Sequence, residues 1–550
     1  MNKKYLTISF ILFFMVSQLA FGQVLKLLSY EKNPVPITQQ IRTDTTNNPG
    51  ILATRIYELE NGGTYLCTEI LTLLRNKTLR LRAPEGVKPI IYLFPTGTGA
   101  NPTNPPGNFV VLNGGNVELT NIAIAGIFEP DPTSINNMQG GLINTTGVGS
   151  RIIVDKCILS NVNGNQIRTG SGAKIVKVTN TIISNMGSLT TSNFGAGKAV
   201  DLREVSCDSL ILVNNTFVNS QDRTVRHLNL AAGNTVTGIL GYCYIDHNTF
   251  VNGMGFHGVL SLGNVGKRVQ ITNNLFVDAF ALGQDSLDVT RSVEFNNTGE
   301  KYANGNNKMP WIFTAPNDTT VWVVRKNFYS ISNSGQNFFT ANPRHSQGAI
   351  ITDHIKGKLG SGAATAFTKL NNFTMTNIPK LMINLMNYYI SPTGGNYTKD
   401  KPNYNYLTND MDRKAIIYYR DTMNCRYPTT SPAYTGADNG LPAGATGWWG
   451  IVLGVEKTND QIPTDYSLNQ NYPNPFNPVT NITYSIPKSS LVKLEVFDIL
   501  GKLVTTLVNQ TQAAGQYKVD FNGNKLSSGV YIYRLSTPSQ IISKKMLLMK

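Results

Sequence analysis

The chain has 550 residues, 41% of them hydrophobic and only 15% charged, which is ample for large cores and excludes wholesale disorder. Its 61 asparagines and 49 glycines make it turn-rich, pointing to β architecture and away from coiled coils and helical solenoids. Forty-eight Lys and Arg against 33 Asp and Glu give a formal charge of +15.

The N-terminus reads as a secretory signal peptide over 1–22. Lys3 and Lys4 precede an apolar stretch from Tyr5 to Phe21, and Ala20-Phe21-Gly22 supplies a small-x-small cleavage pattern. No later run reaches the roughly 18 apolar residues that a spanning helix needs. Removing Lys3 and Lys4 leaves 46 basic against 33 acidic residues, a balance of +13. An exported basic protein points away from nucleic acid and towards acidic polysaccharide or an anionic cell surface as partner. Cys67, Cys157, Cys207, Cys243 and Cys425 are widely spaced, with no CxxC pair, so a sulfur-bound metal is not expected.

From Leu119 an eight-residue phrase recurs: LTNIAIAG, VDKCILSN from Val154, VTNTIISN from Val178, LVNNTFVN from Leu212, IDHNTFVN from Ile245, ITNNLFVD from Ile271 and VRKNFYSI from Val324. The starts are 35, 24, 34, 33, 26 and 53 residues apart. The longest interval implies an insertion over about Ala279–Thr320 or a missed coil. Apolar residues two before the start, at the start and five after it describe a short strand bending into another. Such a corner, repeated about every 22–35 residues, is the mark of a parallel β-helix or other β-solenoid, in which each coil buries its inward face only by stacking. Phe217, Phe250 and Phe276 are expected to form one interior file. Asn215, Asn248 and Asn274 at the corner, with Asn161, Asn185, Asn219, Asn252 and Asp278 at the phrase end, are expected to supply left-handed bends and amide ladders.

Upstream, Ile56–Ile70, TLRLRAP and KPIIYLF read as opening coils. Leu59-Glu60-Asn61-Gly62-Gly63-Thr64-Tyr65 and the repeats resemble right-handed β-helix proteins of the pectin-lyase-like class, over roughly Ile51 to Tyr389. The expected fold is all-β: a right-handed parallel β-helix followed by a small C-terminal Ig-like β-sandwich. The expected solenoid domain is 23–453, its loop-rich end reaching Trp448-Trp449, with a linker at 454–464.

Residues 465–550 read as the sandwich, with NITYSI, LVKLEVFD, KLVTTLV, QYKVDF, GVYIYRL and KKMLLMK as strands. Asn471 with Tyr472-Pro473-Asn474-Pro475-Phe476-Asn477-Pro478, then Asp498-Ile499-Leu500-Gly501-Lys502, Leu526–Tyr531 and Lys544–Leu548 closely resemble the type A sorting domain of the type IX secretion system in the Bacteroidota. That resemblance implies passage across the outer membrane by this machinery, then release or attachment at the cell surface. A monomer is expected.

Two functions are in view. One is a polysaccharide lyase: elimination from a uronate needs a cation against the carboxylate and a base for the C5 proton. Arg223, Arg226 and His227 are the candidate catalytic residues, with Lys198 and Arg203 nearby. Asp201 and Glu204 are candidate ligands for Ca²⁺, the candidate cofactor. Tyr244-Ile245-Asp246-His247 resembles the Trp-Ile-Asp-His stretch of pectate lyases, whose Arg-x-Pro-x-x-Arg segment is absent here. Gly255-Phe256-His257-Gly258 is similar to the Gly-His-Gly of polygalacturonases, but no Asp-Asp pair stands in the repeats, so hydrolysis is disfavoured. The alternative is a non-catalytic structural or adhesive surface protein.

Overall fold

The computed structural model describes residues 23–96, 105–131, 138, 140–187, 197–227, 238–255, 257–390, 422–451, 456–459, 465–487, 490–512, 515–524 and 526–549. The signal-peptide expectation at 1–22 lies outside them. The chain divides into two compact units, Met1–Cys425 and Arg426–Lys550. The division falls before the 453/454 boundary expected from composition, and the expected linker contains the strand Glu456–Asn459.

The first unit is a parallel β-helix with three faces. A ten-stranded first face runs from Val24–Leu27 to Val321–Arg325, and a ten-stranded second face from Thr64–Cys67 to Phe367–Lys369. An eight-stranded third face runs from Leu71–Leu74 to Ile312–Thr314. The phrase starts stack in register: Leu119, Val154, Val178, Leu212, Ile245, Ile271 and Val324 are successive partners on the first face. Ile271 pairs directly with Val324, so the 53-residue interval is one coil carrying an insertion. That insertion contributes the third-face strand Ile312–Thr314 and the short helix Val289–Ser292.

The inward file is continuous. Phe217 stacks on Phe250 at 5.0 Å and 17°, and Phe250 on Phe276 at 4.7 Å and 3°. Offset aromatic stacks of this kind add about 0.5–1.5 kcal/mol to their burial. All five cysteines are free and buried. Burial pushes the Cys67, Cys157 and Cys207 thiols up to about 12, so they serve as small core residues.

Two asparagine ladders run along the helix with opposite donor polarity. Asn215 Nδ2 donates to Asn248 Oδ1 at 3.0 Å, Asn248 to Asn274 at 3.0 Å, and Asn274 to Asn327 at 2.9 Å. Each acceptor oxygen also takes the backbone N–H of the previous coil's asparagine. In the second ladder Asn252 donates to Asn219, Asn219 to Asn185, Asn185 to Asn161, and Asn161 to Glu129 Oε1 at 2.7 Å. The second ladder has the left-handed φ expected, from 54° at Asn252 to 60° at Asn219. At the first corner the bend sits one residue earlier than expected. Asn214, His247 and Asn273 have positive φ, leaving Asn215, Asn248 and Asn274 to bond between coils.

Helices that the repeat pattern does not announce close the solenoid. Ile37 and Ile41 of Ile37–Asn47, and Ile355 of Asp353–Leu359, join the same buried core cluster as the coils. They act as terminal caps, without which an end coil would expose its apolar interior. The Gly-Gly of the opening segment is steric: a Cβ on Gly63 would meet Ser29 Cβ at 2.9 Å. The close approach lets Tyr65 OH donate to Leu27 O at 2.9 Å.

The second unit contains a β-sandwich. One sheet orders Glu456–Asn459, Gly515–Asn522, Val479–Ile486 and Ser467–Leu468; the other orders Leu503–Gln512, Ser490–Phe497, Gly529–Ser536 and Ile541–Leu548. Alternate residues such as Ile482, Val492, Leu494, Val496 and Tyr533 fill the space between them. Trp449 packs edge-on against Tyr427 at 4.7 Å within this unit.

Candidate functional site

Third-face strands alternate, so Ile143, Ile167, Val200, Val225 and Leu260 enter the core while their neighbours point outward. The outward partners in successive coils are Thr72, Val111, Asn144, Arg168, Asp201, Arg226, Ser261 and Phe313. The insertion covers the last of these: Phe313 packs against Phe295 at 4.5 Å and forms a buried cluster with Met309. The row thus passes from a covered end at Phe313 to a half-buried Arg168 and an exposed Thr72.

Asp201 is the hub of the row. Arg226 Nε donates to Asp201 Oδ1 at 2.7 Å and Nη2 to Oδ2 at 3.4 Å. Asn165 Nδ2 adds a bond to Oδ2 at 3.1 Å, and the backbone N–H of Arg203 reaches Oδ1 at 3.3 Å. Arg168 Nε lies 3.9 Å from Oδ2, with its side chain 41% exposed. The exposed Arg203 is held below the usual arginine value, first by partial burial and then by repulsion from Arg226 and Arg168. Two guanidinium groups and the backbone N–H of Arg203 therefore meet at one carboxylate. Of the three arginines, Arg226 is buried, Arg168 half-buried and Arg203 exposed.

A second ionic cluster lies at the corner where the second-face strand Thr216–Ser220 turns into Val225–Arg226. Asp222 is fully buried; Lys198 Nζ lies 2.6 Å and His257 Nδ1 2.8 Å from its oxygens. Arg223 Nη2 reaches Glu294 of the insertion at 3.1 Å, and its Nη1 donates to Ser261 Oγ at 3.4 Å. Burial works to raise the Asp222 carboxyl, but Lys198, Arg223 and His257 together hold it well below the usual carboxylate range. Burial lowers His257 against the pull of Asp222. For Arg223, burial is outweighed by Asp222 and Glu294, which raise it and fix its proton. A Cβ on Gly255 would stand 2.5 Å from the Asp222 carbonyl carbon, so this residue lets the His257 segment approach.

The structure thus divides the five candidate residues between different environments. Arg226 and Asp201 form one ion pair on the outward row. Arg223 belongs to the buried corner. His227 is buried, with Nδ1 3.1 Å from Leu262 O and Nε2 3.0 Å from Val205 O, and burial lowers its pKa. Glu204 is half-buried, and its backbone N–H donates to His227 O at 2.6 Å. Among the described residues no group of three or more His, Cys, Asp or Glu side chains is placed to hold a metal ion. Asp201 has both oxygens taken by Arg226 and Asn165, so the Asp201 and Glu204 pair does not fit Ca²⁺. Asp246 and His247 pair with each other at 2.8 Å at the first corner, where Asp246 also accepts from Thr272 and Asn273. Arg168 and Asn165, on the strand Asn165–Thr169, were not evident from sequence because no phrase contains them.

In the second unit, the Tyr472–Pro478 segment joins the module's beginning to its last strand. Phe476 is buried against Phe521 at 5.8 Å, and its N–H donates to Leu547 O at 2.9 Å. Asn474 Oδ1 accepts from Leu547 N at 2.8 Å. Asn471 Nδ2 donates to Thr480 Oγ1 at 2.9 Å, its Oδ1 accepts from Gln470 Nε2 at 2.8 Å, and its own N–H donates to Tyr533 OH at 2.8 Å.

No curated protein and no solved structure matches the chain. One family model does, over 470–549: the secretion system C-terminal sorting domain. The chain therefore carries a type IX sorting domain and is exported by that system, to the cell surface or beyond it.

Proposed function

We propose that the exported β-helix binds an acidic polysaccharide along the outward row of its third face. Arg168 and Arg203 receive the carboxylates, and the Asp201–Arg226 pair holds them in place. The observation that carries this reading is the pairing of Arg226 and Arg168 with the single Asp201 carboxylate, with the exposed Arg203 close enough to feel the charge of both arginines. Guanidinium groups match carboxylates as planar, two-pronged donors, and one partly desolvated beside other cations gains most from an added anion. Binding without chemical conversion is favoured. Arg223 keeps its proton and is enclosed by Asp222 and Glu294, so it is a poor base for eliminating a uronate.

The test is retention of the mature protein on a polyuronate and on an uncharged glucan, with ultraviolet absorbance monitored for an unsaturated product. Salt-sensitive retention on the polyuronate alone, without new absorbance, is expected. New absorbance would replace this reading with a lyase. Retention on neither polymer would leave a structural or adhesive role.

A further inference from the structure

The sorting domain presents an apolar surface at one end of one sheet. The turn joining Ser490–Phe497 to Leu503–Gln512 is fixed by Asp498, whose Oδ1 accepts from the N–H groups of Leu500 and Lys502, each at 2.9 Å. Asp498 N also donates to Lys502 O at 3.0 Å, and Gly501 adopts φ 81°. This ordered turn holds Ile499 71% and Leu500 90% exposed. Ordinary loop chemistry would place polar residues at such a tip.

The apolar surface continues onto the sheet. Leu503, Phe497 and Ile532 are cross-strand neighbours on its outward side, and Val530 lies two residues before Ile532. Tyr531 and Tyr533, between them in sequence, point into the core. The outward positions described on the other sheet are mostly polar: apart from the exposed Val479 they include Asn481, Thr483, Gln516, Lys518 and Asp520, alternating with the buried Ile482, Tyr484, Tyr517, Val519 and Phe521. The rim of the patch carries more positive than negative charge. Lys502 and Lys545 are exposed beside it, and Arg534 lies 4.4 Å over the Phe497 ring while pairing with Glu495 at 3.4 Å. Residues 470–549 carry eight Lys and Arg against three Asp and Glu. A contiguous apolar patch with a charged rim is the usual form of a protein-binding surface.

We infer that this patch, centred on Ile499 and Leu500, docks the sorting domain onto a component of the secretion machinery that offers an apolar cleft with an acidic rim. The partner follows from the domain's family, and its chemistry from the patch. Apolar anchors set the affinity, while the lysine and arginine rim gives orientation and speeds encounter.

The experiment is made on the full chain in a bacterium with a working type IX system, comparing wild type, Leu500→Glu and Ile499→Ser/Leu500→Ser. Both variants are expected to reduce export by roughly tenfold or more, as loss of a central anchor does, with precursor accumulating inside the outer membrane. Their thermal unfolding should match wild type, because neither side chain enters the core. Lys518→Ser, on the opposite sheet, should be exported normally. Wild-type export of Leu500→Glu would overturn the inference. So would a concentration-dependent dimer that Leu500→Glu dissociates, since the patch would then belong to a second copy. Should the double variant unfold, Leu500→Glu alone decides.

Discussion

The rings of Phe250 and Phe276 lie 4.7 Å apart and within 3° of parallel, although 26 residues separate them. Their spacing is that of neighbouring strands, so each ring is packed by its counterparts above and below. Phe250, stacked on both sides, should cost about 3–5 kcal/mol when replaced by Ala. Equilibrium unfolding of the solenoid transition measures this, and a loss under about 1 kcal/mol would be incompatible with a buried stack.

Asn248 is bonded to the coils on both sides of its own. It donates to Asn274 Oδ1 and Leu212 O, and accepts from both the side chain and the backbone of Asn215. Asn248→Ala strands those buried groups and should destabilise by about 2 kcal/mol or more. Asn248→Asp should not rescue it, because a carboxylate would face the Asn274 and Leu212 oxygens. Denaturant midpoints of the two variants make the comparison.

How far these contacts were legible follows from the spacing of the chain. The first-to-second corner is only a few residues long, so the first- and second-face columns keep constant offsets within the phrase. The third face does not. Arg168 follows Val154 by 14 residues and Arg226 follows Leu212 by 14, whereas Asp201 follows Val178 by 23. Variable loops thus hid the Arg168–Asp201 neighbours, and no phrase pointed to Arg168. The buried corner was obscure for a different reason: Lys198, Asp222, His257 and Glu294 come from separate coils and the insertion, and only folding makes them a cluster. The cap helix Ile37–Asn47 holds four threonines, which read poorly as helix.

Acidification should destabilise the solenoid in a defined window. His227, His257 and His345 are all lowered in the folded protein, chiefly by burial. The unfolded chain takes up these protons near pH 6.5, while the folded protein does so only at lower pH. Their contribution is therefore complete above about pH 6.5 and falls as pH drops through the folded values. Asp222 adds a further loss below about pH 3.8, where its unfolded carboxyl protonates but its folded one does not. Stability measured from pH 7 to 5 should fall, and His227→Gln should flatten the slope by up to about 1.4 kcal/mol per pH unit. An unchanged slope would mean that His227 is not lowered.

Removing a charge should separate the two ionic clusters. Lys198→Met leaves Asp222 short of a partner inside the protein and should cost about 3–5 kcal/mol. Arg168→Ala, with an exposed side chain 3.9 Å from its partner, should change stability by less than about 1 kcal/mol. Thermal unfolding of the two variants reads the difference.

The most direct measurement is the affinity of the mature protein for a soluble polyuronate, compared with that of Arg168→Ala/Arg203→Ala. Loss of roughly tenfold or more, about 1.4 kcal/mol, with unfolding unchanged and wild-type binding weakened by salt, is the predicted result. Equal affinity in the folded double variant would place recognition elsewhere and contradict the account.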